Sequence, residues 1–178
     1  MTKTELENCI WEYGKDIYSF CRSLTLNIQE ADDLYQDTFL KAVEVLWDID
    51  NQKNPKSYLL SIALRLWKNK KRKYAWRNRI AQVLSLTDEL DLDCEKEAVC
   101  SPEHEFFKKE ETTLVRQAVE GLSEKLKVVI LLFYMEDLSM SEIAFVLKIP
   151  IGTVKSRLYQ AKQILKKELE VVFNEEIG

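Results

Sequence analysis

Four groups of residues in this chain have types and spacings that suit chemistry. The first lies in EADDLYQDTFLKA, residues 30–42, where Asp33, Gln36 and Asp37 fall on one face if the segment is helical. Paired carboxylates serve as general acid and base or as metal ligands. No histidine, nucleophile or glycine-rich loop accompanies them, so an acidic docking face, or a merely solvated one, fits better than catalysis. The second group is Cys94, Cys100 and His104, all of zinc-binding type. Their spacing matches no common zinc motif and a fourth ligand is missing. His104 is the only histidine, so no convincing Ser–His or Cys–His pair is available. The expectation is a non-enzyme with no cofactor and no metal.

The third group is RLWKNKKRKYAWRNR, residues 65–79, with 8 basic and no acidic side chains. Trp67, Tyr74 and Trp76 are interleaved with the cations. Aromatics stack on unpaired bases while cations follow the phosphates of a single strand. The alternative is a solvated helix end or a charged tail, and Trp67 is expected in the core. The fourth group is SEIAFVLKIPIGTVKSRLYQAKQIL, residues 141–165, which has no acidic residue after Glu142. Ile151, Val154, Leu158, Ala161 and Leu165 make one apolar face. Lys155, Tyr159, Lys162 and Lys166 line another, with Ser156 beside it. Gly152 lets backbone approach closely, and Ala144 is small enough for tight helix packing. A solvated lysine face normally mixes signs; one without carboxylates suits a polyanion.

The elements that must position these groups all read as helices. Leu6, Cys9, Ile10, Tyr13, Ile17, Phe20, Cys21 and Leu24 keep helical spacing over about 3–24, with Cys9 and Cys21 as core thiols. NIQE at 27–30 has a capping-box pattern and opens a helix to about Trp47, with Leu34, Phe39, Val43 and Leu46 on its apolar positions. Asn54 and Pro55 start a third helix, carrying Tyr58, Leu59, Ile62, Ala63 and Leu66 into the basic run. Residues 80–101 lose the period and are acidic, so they read as a linker. Ser101 and Pro102 open a fourth helix through Phe107, Leu114, Ala118 and Leu122, and Ser123 caps a short apolar one. In LSMSEI, Ser139 and Glu142 form a second capping box, with Leu138 stapled onto Ile143. The short helix there and the cationic one from near Pro150 make a helix-turn-helix arrangement. The fold class is therefore all-α: two small helical domains, 1–79 and 102–178, joined by an acidic linker at 80–101.

Composition agrees. The chain has 178 residues, 46% of them hydrophobic and 31% charged, with only 4 Gly and 3 Pro. No apolar run reaches the ~18 residues of a membrane span, and MTKTELENCIWEYGKD lacks an apolar signal region. A cytoplasmic protein with no direct membrane insertion is expected, and its cysteines are too few for a disulfide framework in a reducing compartment. The net charge of −4 alone would argue against nucleic acid. The uneven distribution argues for it, because phosphates respond to the local field.

At these residues the sequence resembles the bacterial RNA polymerase sigma-70 family, in its small extracytoplasmic-function (ECF) group. EADDLYQDTFLKAV resembles region 2.2, YLLSIALRLWKNKKR regions 2.3 to 2.4, SPEHEF the start of the segment leading into domain 4, and LSMSEIAFVLKIPIGTVKSRLYQAKQIL region 4.2, nearly position by position. The resemblance implies a sigma factor that binds core RNA polymerase, reads the −35 and −10 promoter elements and helps melt the DNA. Asp33, Gln36 and Asp37 would face the coiled coil of the β′ clamp, and the β flap would be a second polymerase contact. Asn54 to Ser57 would hold a flipped −10 base, with Arg65, Lys68, Asn69 and Arg72 along the −10 strand. Lys155, Ser156, Arg157 and Tyr159 would meet the −35 major groove. An anti-sigma factor is a further family expectation. Arg65 stands where the group often has Asn, Asn69 where it often has Asp, and Tyr58 where it often has Trp, departures that bear on the −10 preference. Two rival readings are a conventional transcription factor with a LuxR-type helix-turn-helix, which leaves the region 2.2 likeness unexplained, and an interaction adaptor that does not bind DNA.

Overall fold

A computed structural model describes residues 2–25, 27–45, 54–84 and 106–175, with side chains described at 2–25, 27–45, 54–80 and 113–170. The chain divides into two compact units, Met1–Ala98 and Val99–Gly178. Every regular element among the described residues is helical.

In the first unit α1 (Lys3–Leu24), α2 (Ile28–Glu44) and α3 (Pro55–Leu84) pack against one another. The α1 N-terminus is closed by a capping box: Thr2 Oγ1 accepts from Glu5 N at 3.2 Å, and Glu5 Oε2 accepts from Thr2 N at 2.7 Å. Leu6, Cys9, Ile17, Phe20, Cys21 and Leu24 are buried at helical spacing, while Ile10 is turned outward. Gly14 is buried because α2 passes close by: a Cβ there would lie 3.1 Å from the Tyr35 hydroxyl. At the start of α2, Asn27 Oδ1 accepts from Glu30 N at 2.7 Å, one half of the expected box.

The buried line of α2 differs from the expected one. Ala31, Leu34, Thr38 and Ala42 face inward, whereas Phe39 is half-buried and Val43 exposed. Nine residues put Val43 about half a turn from Leu34, so both cannot face one core. Small residues bring α2 close to its neighbours, and the buried Thr38 hydroxyl is satisfied by donating to Leu34 O at 2.6 Å. Leu46 lies outside the described residues.

Pro55 opens α3 after Asn54, whose Oδ1 accepts from Lys56 N at 3.0 Å. Leu59, Leu60, Ile62, Ala63, Leu64 and Trp67 are buried. From Lys70 to Ile80 every side chain is exposed, and α3 runs on through Leu84, into the segment from residue 80 expected to be linker. Residues 85–105, with Ser101 and Pro102, lie outside the described residues.

In the second unit α4 (Phe106–Gly121), α5 (Glu124–Ile130) and α6 (Met140–Leu147) surround α7 (Ile151–Glu175). Ser123 is the N-cap residue of α5, but its hydroxyl makes no cap bond, contrary to expectation. The apolar segment also does not stay α-helical. Leu131–Met135 forms a π-helical turn, closed by Glu136 N donating to Leu131 O at 3.1 Å. The Ser139–Glu142 capping box is complete, with Glu142 N to Ser139 Oγ at 3.3 Å and Ser139 N to Glu142 Oε2 at 2.8 Å. Leu138 and Ile143 are both buried, as a staple requires. α6 ends at Lys148 in the left-handed region, φ 54°, where Ile149 N returns to Ala144 O at 3.1 Å. That turn aims α7. Val154, Leu158 and Ala161 are buried, but Ile151, expected with them, is exposed in the first turn.

This packing makes a differential prediction. Leu158→Ala should cost about 2–5 kcal/mol by opening a cavity, while Tyr159→Ala, one residue on but facing solvent, should stay within about 0.5 kcal/mol. Urea unfolding followed by far-UV circular dichroism measures both. Equal costs would place the buried face of α7 elsewhere.

Candidate nucleic-acid interface

The N-terminal turns of α7 present a mixed polar face. Pro150 O accepts from Thr153 N at 2.9 Å and Val154 N at 3.2 Å, so the helix is regular from its first turn. With Val154 and Leu158 buried, Lys155, Ser156 and Tyr159 point outward, and Tyr159 is 66% exposed. Ser156 Oγ donates to Thr153 O at 3.1 Å, which leaves its lone pairs free to accept. The fourth expected residue, Arg157, stands apart. Two residues place it about 200° around the helix from Lys155, and it is half-buried.

Arg65, Lys68, Asn69 and Arg72 follow i, i+3, i+4, i+7 spacing and share one strip of α3. Arg65, Lys68 and Arg72 are exposed and Asn69 is half-buried. Trp76, eleven residues after Arg65, lies on the same strip and is 64% exposed. Tyr74, also exposed, is on the opposite side, so the interleaved aromatics divide between two faces. Trp67 is buried and carries Lys71 Nζ 4.9 Å from its ring centroid. At the helix start Asn54 is exposed but Ser57 is buried, and its hydroxyl has no hydrogen-bond partner. The structure thus separates two residues that the resemblance groups together. Between them, Lys56 Nζ reaches back to Asp16 Oδ2 at 2.7 Å, tying this turn to α1.

On α2, Asp33 and Gln36 are exposed. Asp37 is not a free carboxylate: its Oδ2 pairs with Lys70 Nζ on α3 at 2.8 Å, with the two side chains 45% and 47% exposed. The same strip includes Leu40, seven residues after Asp33 and 65% exposed. Leu40 is absent from both the apolar line and the acidic face expected of this helix; its distance from Asp33 carries the signal. A shallow groove beside Gln36 is lined by Gly14, Lys15, Tyr18, Asp32 and Tyr35. There the Tyr18 hydroxyl donates to Asp32 Oδ1 at 2.8 Å, and that bond holds the phenol pKa above its usual value.

Among the described residues no group of three or more His, Cys, Asp or Glu is placed to hold a metal ion. Cys94, Cys100 and His104 lie outside them. No described helix is long and apolar enough to cross a membrane.

Two family models match this arrangement, sigma-70 region 2 over residues 10–77 and sigma-70 region 4 over residues 112–165, together more than half of the chain. The chain is 29% identical to the ECF RNA polymerase sigma factor SigW of Bacillus subtilis, over 88% of this chain and 84% of that protein. It is 27% identical to the RNA polymerase sigma-H factor of Pseudomonas aeruginosa, over 97% of this chain and 90% of that protein. Among solved structures, the sigma factor RpoE in complex with the anti-sigma factor NepR from Bartonella quintana has a similar fold, with a TM-score of 0.74, 23% identity and coverage of 94% of this chain and 98% of that chain. CnrH in complex with the cytosolic domain of CnrY gives a TM-score of 0.65 at 20% identity, over 96% of this chain and 90% of that chain. The helical fold and the two matched regions define a two-unit transcription factor. The chain belongs to the sigma-70 family, in its ECF group, and is a promoter-recognising initiation factor.

The Asp37–Lys70 pair generates a prediction. Both groups are nearly half exposed, so water and salt screen them and the pair contributes ~0–1 kcal/mol. Asp37→Asn should therefore lower stability to urea by less than about 1 kcal/mol. A cost of several kcal/mol would make the pair a structural tie between α2 and α3 rather than a surface contact.

Proposed function

We propose that this chain acts as an ECF sigma factor by using its three exposed strips for three tasks. Asp33, Gln36 and Asp37, with Leu40 among them, contact the clamp of core RNA polymerase, and the second unit meets the β flap. Arg65, Lys68, Asn69 and Arg72 follow the −10 strand, with Trp76 on the same strip as a stacking surface for unpaired bases. Asn54, exposed at the start of α3, contacts one flipped −10 base, while Ser57 supports that turn from the buried side. Lys155, Ser156 and Tyr159 read the −35 major groove, and Arg157, from its different face, contacts the backbone at its edge. The working organisation is a domain over 1–79 for polymerase and −10 binding, an acidic linker over 80–101, and a domain over 102–178 for −35 binding. The chain works by binding rather than by catalysis, in the cytoplasm, without a cofactor. An anti-sigma factor is its expected regulator, in keeping with the similar sigma factor RpoE solved in complex with the anti-sigma factor NepR.

One observation carries this reading: Lys155, Ser156 and Tyr159 are outward-facing on a helix anchored by Val154 and Leu158, in a stretch with no carboxylate from residue 143 to 167. A recognition helix reads bases with its N-terminal turns, and a carboxylate there would be repelled by phosphates. Side chains at base edges set preference, while phosphate contacts only set affinity. In binding of the polymerase holoenzyme to single-base −35 variants, Lys155→Ala and Ser156→Ala should each cost about 1–3 kcal/mol at one position and flatten the preference there. If both keep the wild-type rank order of variants, α7 is not the reader.

The α3 strip has its own test. Arg65→Glu, Lys68→Glu and Arg72→Glu together should impair open-complex formation more on duplex than on pre-melted promoters. Lys70 is left unchanged, because reversing it would set two carboxylates against each other at Asp37. Wild-type activity of the triple variant on duplex promoters at moderate salt would reduce the strip to a solvated face.

A further inference from the structure

We propose that Phe133 and Tyr134 form an aromatic shelf that holds Lys162 in place for a DNA phosphate beside the groove that α7 enters. This makes the two aromatics positioning residues for promoter binding, and it rests on the reading of α7 as the −35 helix. Lys162 Nζ lies 5.6 Å from the Phe133 ring centroid and 5.5 Å from that of Tyr134. Both are within the ~6 Å over which a ring attracts an ammonium. The rings meet edge to face, with centroids 5.0 Å apart and planes at 79°, so they form one surface with two walls. Successive side chains of a helix normally diverge by about 100°. Here both rings belong to the π-helical turn Leu131–Met135, whose altered register accompanies their convergence on one cation. Such turns recur at functional sites.

Core packing alone does not account for the shelf. Phe133 is half-buried, but Tyr134 is 59% exposed and Lys162 is exposed. Lys162 follows Lys155 by seven residues, close to two turns, so Lys155, Tyr159 and Lys162 form one stripe along α7. The first two are the expected base-reading positions, which puts Lys162 on the same side, farther along the helix. Ring faces attract the ammonium without neutralising it, and its three N–H donors cannot all point at the rings. A donor therefore remains for phosphate. Fixing a long lysine stem costs rotamer freedom, and the shelf restricts it before DNA arrives, as preorganisation requires.

The test is holoenzyme binding to a −35 promoter fragment across a salt series, with thermal unfolding of each variant as a check on folding. Lys162→Gln should lower the slope of log affinity against log salt by about one and weaken all −35 variants alike. Tyr134→Leu keeps apolar bulk but removes the ring face, and should weaken binding roughly two- to five-fold without changing −35 preference. Tyr134→Phe keeps the ring and should match the wild type. The double variant Tyr134→Leu with Lys162→Gln should bind no more weakly than Lys162→Gln alone, because the shelf acts only through that lysine. An unchanged salt slope in Lys162→Gln, or full additivity in the double variant, overturns the proposal. A loss in Tyr134→Phe equal to that in Tyr134→Leu assigns the effect to the hydroxyl and also overturns it. Lys155→Ala and Ser156→Ala separate the two levels. If both leave −35 preference intact, the reading of α7 fails; if either shifts preference while Tyr134→Leu binds like wild type, only the shelf fails.

Discussion

What the second unit offers to DNA depends on how α7 is seated. Val154, Leu158 and Ala161 are buried among the helices that surround it, and fully burying a Val or Leu side chain contributes about 1.5–3 kcal/mol. Once those positions are fixed, the rotation of the helix is fixed, and Lys155, Ser156 and Tyr159 have no choice but to face outward. The capping box at Ser139 and the left-handed turn at Lys148 set the direction from which α7 arrives. Recognition is thus built from apolar packing, and the polar residues inherit their orientation from it.

The first unit reaches a similar end by a different route. α3 is anchored only as far as Trp67 and then extends as an exposed cationic helix to Ile80. Within this extension Lys70 reaches back to pair with Asp37 on α2. The remaining strip of Arg65, Lys68 and Arg72 is open to an anionic partner, and a chain of net charge −4 can bind a polyanion because its acidic groups lie in other segments. The Lys70–Asp37 pair also joins the strip proposed for polymerase to the helix proposed for the −10 element.

Much of this was legible from the sequence because helices announce themselves by period and caps. The spans of α1 and α6, the Asn54–Pro55 start of α3 and the Ser139 capping box follow from local chemistry alone. Misplaced details share a cause: the period says that a helix has a buried face, but neighbouring helices decide which arc it is. Hence Val43 and Ile151 turned out exposed, and Ala31, Thr38 and Ala42 took the inner positions of α2. Contacts between distant residues were invisible for the same reason, including Lys70 with Asp37 and Lys162 with Phe133 and Tyr134. The resemblance groups Ser57 with Asn54, yet the first turn of α3 buries Ser57. The π-helical turn has no sequence signature at all; KLKVVILLFYM reads as an uninterrupted helix.

The central claim is that this chain confers promoter choice on RNA polymerase. The most direct measurement is run-off transcription from a panel of promoter templates by purified core RNA polymerase, with and without the chain. The account predicts transcripts that start at defined sites on a subset of templates, only when the chain is present, and that disappear when the −35 or −10 element of those templates is scrambled. Specific binding of the chain to promoter DNA without any transcript from core polymerase would contradict it.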